Sequence, residues 1–95
     1  MEYFVYIIYS EENDAYYIGQ THDLKQRIIL HNTGHFKQSS TKFAKDWKLH
    51  YNLKCNSRTQ ALRIEKHIKN NRNRNYYRNL NKYPEIGDKL LIKYS

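Results

Sequence analysis

With 95 residues, a formal net charge of +8, an apolar content of 39% and a mean hydropathy of −1.02, the chain makes one lean domain in which the ten tyrosines must supply much of the core. A single cysteine, Cys55, excludes an intrachain disulfide; there is no Cys/His zinc spacing, and the N-terminal apolar run is too short for a signal peptide or a membrane span. The charge is lopsided: residues 1–36 carry Lys25 and Arg27 against five carboxylates, whereas residues 37–95 carry fifteen Lys and Arg against four, a balance that suits a nucleic-acid partner better than a merely solvated surface.

In chain order, Tyr3-Phe4-Val5-Tyr6-Ile7-Ile8-Tyr9 is an unbroken β-branched and aromatic run, which predicts a strand buried on both faces. A polar, turn-forming link at 10–14 leads to Ala15-Tyr16-Tyr17-Ile18-Gly19, so a second strand over about 15–20 closes an antiparallel hairpin. A helix is expected to open at Asp23, with Gln26 as a capping partner, and to close at Gly34. Leu24, Ile28 and His31 share its inward face and Arg27 borders that stripe. Residues 35–46 show no clean period and read as a basic loop. Lys48 to Lys54 alternates strictly, which predicts a half-exposed third strand with Leu49, Tyr51 and Leu53 on one face and Trp47 as a core anchor.

Asn56 or Ser57 caps a second helix running to about 71, with Ala61, Leu62, Ile64 and Ile68 as its apolar arc. Glu65 falls inside that arc, and a carboxylate there needs a cation, a metal or a set of hydrogen bonds. A polar third helix follows from 72 and Pro84 breaks it. Residues 84–95 form a tail, either a short helix packed on the domain of residues 1–83 or a loosely attached end.

Val5-Tyr6-Ile7 and Tyr17-Ile18-Gly19, followed by Asp23-Leu24, Arg27, His31-Asn32, Gly34, Thr41-Lys42, Trp47 and the run Arg63-Ile64-Glu65-Lys66, form an ordered series. This series resembles the GIY-YIG nuclease family in its small single-domain form, over roughly residues 3–82. The resemblance implies an α/β (α+β) fold, a three-stranded antiparallel sheet with helices packed on it. It implies a divalent-metal-dependent endonuclease using Mg²⁺ or Mn²⁺, with Glu65 as the metal ligand and Arg27 on the scissile phosphate. His31 would hold a phosphate oxygen or pass a proton, Tyr6 or Tyr17 would take the proton of the attacking water, and Asn79, or Asn81 two residues on, would lie near metal and substrate. Gly19, Lys42, Lys45, Arg72 and Arg74 are the expected nucleic-acid contacts. Three positions depart from the family pattern: the first triplet lacks its glycine, Gln20 stands where some members carry a catalytic lysine, and Lys45-Asp46-Trp47 replaces a frequent Arg-Pro-Trp.

Without the resemblance these residues have plainer readings. Arg27 is a helix-surface charge, His31 a satisfied semi-buried side chain, the tyrosines are core packing, and Glu65 is half of an ion pair with Arg27. The expectation is therefore a cytoplasmic endonuclease, a monomer or weak dimer with no membrane association. It would act on DNA rather than RNA and select by shape, in repair, recombination or defence. The alternative is a nucleic-acid-binding module on the same fold with little or no catalysis.

Overall fold

The computed structural model describes residues 2–34 and 44–95. Its elements run β1 (Tyr3–Ser10), β2 (Ala15–Thr21), α1 (Leu24–Asn32), β3 (Trp47–Cys55), α2 (Arg58–Asn70), α3 (Arg74–Lys82) and α4 (Pro84–Lys93). The sheet has the order β2-β1-β3 and is antiparallel throughout. β1 is the central strand, and its unbroken apolar run follows from that position. Val5 and Ile7 face α2, α3 and α4, whereas Tyr6 and Ile8 face α1, and all four are essentially inaccessible.

The β1–β2 hairpin closes through four turn residues. Asp14 takes a positive φ of 49°, a conformation that Asp tolerates better than most residues, and its carboxylate accepts the Tyr9 hydroxyl at 2.6 Å. The helix ends follow the expected chemistry. The Asp23 and Ser57 side chains accept the backbone N–H groups of Gln26 and Gln60, and Gly34 sits at φ +72° just beyond α1. Tyr83 ends α3, and Pro84 opens α4 at the position where a missing N–H costs nothing.

Two expectations about facing are corrected. A bulge in the β1–β3 ladder places Ile7 opposite Tyr51 but Ile8 opposite Leu49, so His50 is the extra residue. The bulge shifts the phase of β3. Tyr51 and Leu53 stay on the α2 side, whereas Leu49 turns to the face of Ile8 and Trp47 and is 43% exposed. Leu62 likewise leaves the apolar arc of α2, at 43% exposed, because Ala61, Ile64 and Ile68 already fill the contact with the sheet.

The C-terminal segment is the helix α4. Leu90 enters the main core, the Leu91 carbonyl accepts the Gln60 amide at 3.0 Å, and Tyr94 meets His67 at 2.9 Å. A side chain at Gly87 would meet the Tyr51 hydroxyl at 2.6 Å, so the glycine sets how closely α4 approaches β3. Ile92 remains 75% exposed. Among the described residues, no helix is long and apolar enough to cross a membrane.

Candidate active site

The register places Tyr6 opposite Gly19, with Tyr17 two residues back along β2 on the same face. A Cβ at Gly19 would stand 2.5 Å from the Tyr6 hydroxyl, so the glycine provides the space that the phenol occupies. Across this face α1 inserts His31, whose Nε2 lies 2.9 Å from the Tyr6 hydroxyl. Both side chains are only 2% exposed. The Tyr17 ring completes the group at 5.0 Å from the imidazole and 6.4 Å from the Tyr6 ring, centroid to centroid.

The electrostatics of this pocket are one-sided. Burial lowers the pKa of His31 to about 4, and the nearby Arg27 cation adds to the effect, so the imidazole is neutral at physiological pH. Tyr6 is pushed well above the ordinary range for a phenol, first by burial and then by Tyr17. The Arg27 cation pulls it down and the Glu65 carboxylate pushes it up. The Tyr6 hydroxyl thus lies within the fields of both charged candidates, one carried by α1 and the other by α2. Arg27 also lines a cavity of about 240 Å³ with Gln20, His22 and Arg58. The Gln20 Oε1 is buried there without a hydrogen-bond partner among the described residues.

Glu65 projects from α2 with 16% of its side chain exposed and forms an ion pair with Lys69 Nζ at 2.7 Å. Lys69, one turn on, also lies 5.9 Å from the centroid of the Tyr17 ring. The plainer reading named Arg27 as the partner of Glu65; Lys69 is an ion-pair partner which that reading did not include. Among the described residues no group of three or more His, Cys, Asp or Glu side chains could enclose a metal. What is available is a lone, mostly buried carboxylate that already binds one cation. Such a donor suits a hydrated hard cation, which keeps most of its waters, and not a metal that needs an all-protein cage.

The remaining expected residues are more scattered. Arg72 and Arg74 line a cavity with Tyr17 and Lys69. Arg74 is also bound to Asp14 at 2.7 Å. Asn79 is exposed on α3, where its carbonyl accepts the Tyr83 N–H at 2.7 Å. Lys45 is exposed ahead of β3, and Lys42 lies outside the described residues.

Several contacts were not anticipated from the sequence. The Asn32 amide brackets the backbone of Trp47, accepting its N–H at 2.7 Å and donating to its carbonyl at 3.0 Å, which fixes the end of α1 to the start of β3. Asp46 accepts the buried Ser10 hydroxyl at 2.6 Å and the Glu12 N–H at 2.9 Å, so it ties the β1–β2 turn to the start of β3. Both need a fold before they can be seen. Lys69 was legible, since it stands four residues after Glu65.

The family model of the GIY-YIG catalytic domain matches residues 2–81. No curated protein and no solved structure matches. The match runs from the start of β1 to within one residue of the end of α3, so it takes in the hairpin triplets, Arg27, His31 and Glu65 together. With the three-stranded sheet and the pocket around Tyr6 in place, the chain belongs to the GIY-YIG nuclease family.

Proposed function

We propose that the protein is a divalent-metal-dependent endonuclease that hydrolyses nucleic-acid phosphodiester bonds, of DNA rather than RNA, and selects its substrate by shape. The observation that carries this reading is the Tyr6 hydroxyl, hydrogen-bonded to a neutral His31 and within the fields of both Arg27 and Glu65. A buried tyrosine with a raised pKa is a poor base alone. It becomes effective if it hands its own proton to His31 Nε2 while it takes one from the attacking water, because no tyrosinate then accumulates in the pocket. The low pKa of His31 leaves Nε2 unprotonated at neutral pH, and the negative charge of a bound phosphate would favour the imidazolium that this transfer forms. Tyr17, less buried and beside the same imidazole, is the other candidate base.

Arg27 has the planar fork that fits a phosphate. Glu65 would hold Mg²⁺ or Mn²⁺, with Lys69 displaced. When bound, such an ion supplies positive charge against the reacting phosphate. Asn79 would contact the substrate from α3, and Lys42 and Lys45 would contact the backbone beyond the scissile bond. The lone buried cysteine remains in keeping with a cytoplasmic setting.

The test is cleavage of labelled flapped, branched, duplex and single-stranded DNAs with Mg²⁺ or Mn²⁺. Glu65→Ala is expected to lose about a thousandfold in rate, about 4 kcal/mol of barrier. Equal cleavage by wild type and variant would remove Glu65 from the mechanism. A second reading, a binding module with little catalysis, draws on the Glu65–Lys69 ion pair as a structural feature and on Gln20 in place of a lysine. Salt-sensitive binding to the whole panel without any metal-dependent cleavage would favour that reading.

A further inference from the structure

β2 is an edge strand, and no described strand pairs with its outer side. Along that side, between β2 and the junction of α2 with α3, lies a cavity of about 490 Å³ lined by Tyr16, Tyr17, Lys69, Arg72, Arg74 and Tyr77. Three cations and three tyrosines here adjoin the candidate active site, because Tyr17 and Lys69 belong to both. Lys69 is 2.7 Å from Glu65 on one side and 5.9 Å from the Tyr17 ring centre on the other.

One wall of this groove is held in place. The Arg74 guanidinium lies over the Tyr16 ring, its Cζ 5.4 Å from the centroid. It is fixed there by the Asp14 carboxylate at 2.7 Å and by the Asp14 backbone carbonyl. Tyr16 is in turn backed by Tyr9 at 4.7 Å and Tyr77 at 5.1 Å. The Arg74 side chain remains 47% exposed. A guanidinium held over a cluster of tilted tyrosine rings, with about half of its side chain accessible, offers a planar cationic surface on which a nucleobase can stack. Arg72 and Lys69 line the same cavity and supply positive charge for the phosphates that flank such a base. A duplex cannot present a base face to this platform, because its bases are stacked on one another; an unpaired nucleotide can.

We propose that this groove seats an unpaired nucleotide beside the scissile phosphate, so that the substrate is nucleic acid with a single-stranded segment next to the cut. The proposal rests on the nuclease reading for the word scissile, but the binding site can be tested without cleavage. The probe is a fluorescein-labelled oligothymidylate, compared with a blunt hairpin duplex of the same charge, both titrated in EDTA at low salt by fluorescence anisotropy.

Arg72→Glu is expected to weaken single-strand binding at least about fivefold. Lys89→Glu, the same charge change on α4, is expected to alter it less than about twofold, since backbone charge alone does not distinguish the two positions. Lys69→Met serves as a second groove variant should Arg72→Glu fail to fold. Equal weakening by the groove and α4 variants, equal binding of hairpin and single strand, or displacement of the oligonucleotide by inorganic phosphate would each overturn the groove.

Cleavage then separates the two ideas. Single-strand binding that is lost in Arg72→Glu, in a protein that cuts nothing, would leave the groove standing and the nuclease reading fallen. Cleavage whose preference for flaps is unchanged by Arg72→Glu would do the reverse.

Discussion

The two faces of the sheet are built on different principles. The face toward α2, α3 and α4 is aliphatic: Val5, Ile7, Ile18, Ile64, Ile68, Leu80 and Leu90 pack around Tyr77. The face toward α1 has a smaller buried set, Tyr6, Ile8, Ala44 and Trp47, and the buried imidazole of His31 beside Tyr6. Apolar burial is non-directional and each buried aliphatic side chain contributes about 1.5–3 kcal/mol, so the first face can hold the fold by area alone. The second depends on direction. Its phenol and imidazole are out of water and must satisfy one another, since an orphaned buried polar group costs about 1–3 kcal/mol. Burial by area is concentrated on one side of β1, and the directed polar contact between Tyr6 and His31 on the other.

The strongest test of this division is on the aliphatic side. Ile64 is fully buried, and Ile64→Ala is expected to cost about 2–5 kcal/mol through lost transfer energy and the cavity left behind. Urea unfolding would measure it, and any cleavage retained at low temperature should keep the wild-type metal dependence. A loss under about 1 kcal/mol would mean that the core relaxes around the gap and that this face is not the main source of stability.

Acid should sharpen the comparison from the other side. His31 titrates at about 4 in the folded protein against 6.5 ordinarily. Between those values the unfolded chain takes up a proton that the folded chain refuses. The contribution of this group is therefore fully present above pH 6.5 and falls progressively as the pH drops to about 4, by up to about 3 kcal/mol in all. Below that the group adds no further slope. Asp14 and Asp46, whose carboxyls are held below the ordinary value of 3.8 mainly by hydrogen bonds, add their own losses at still lower pH. Urea midpoints across pH 4–7 should show the loss in wild type and a flatter profile in His31→Gln. Identical slopes in the two proteins would remove His31 from the account.

How much of this was legible depends on whether a feature is local. The double burial of β1 and the caps at Asp23 and Ser57 follow from neighbouring residues, and these matched. The bulge at His50 was not legible, because Leu49, Tyr51 and Leu53 alternate as one face would and nothing in that run marks the extra residue. Leu62 has the spacing of a core position and lost its place to competition for limited sheet area. The Tyr6–His31 contact joins residues 25 apart, so periodicity could place each on an inward face without showing that they meet. The family resemblance drew them together by analogy; the hydrogen bond gives that grouping a physical basis. Lys42 lies in the stretch outside the described residues, and its expected role stays a proposal.

Gly19→Ala offers the finest probe, because it adds one methyl group against Tyr6 and nothing to the aliphatic face. The new Cβ would fall 2.5 Å from the Tyr6 hydroxyl and 2.7 Å from Cζ, distances that real atoms do not tolerate. A surface tyrosine would swing aside. Tyr6 is 2% exposed and tied to His31, so the ring must shift within its packing or break the hydrogen bond. Overpacking of this kind costs about 1–3 kcal/mol, and the low end is expected because the displaced atoms are the tip of one side chain. The effect on cleavage should exceed the effect on stability. Moving the phenol by a few tenths of an ångström disturbs its alignment with His31, and misalignment alone can lower a rate up to about a hundredfold. The informative result is the ratio of the two losses. A rate loss much larger than the unfolding penalty would locate the chemistry at Tyr6. A rate loss no larger than the stability loss predicts would return Tyr6 to the core and leave Tyr17 as the base.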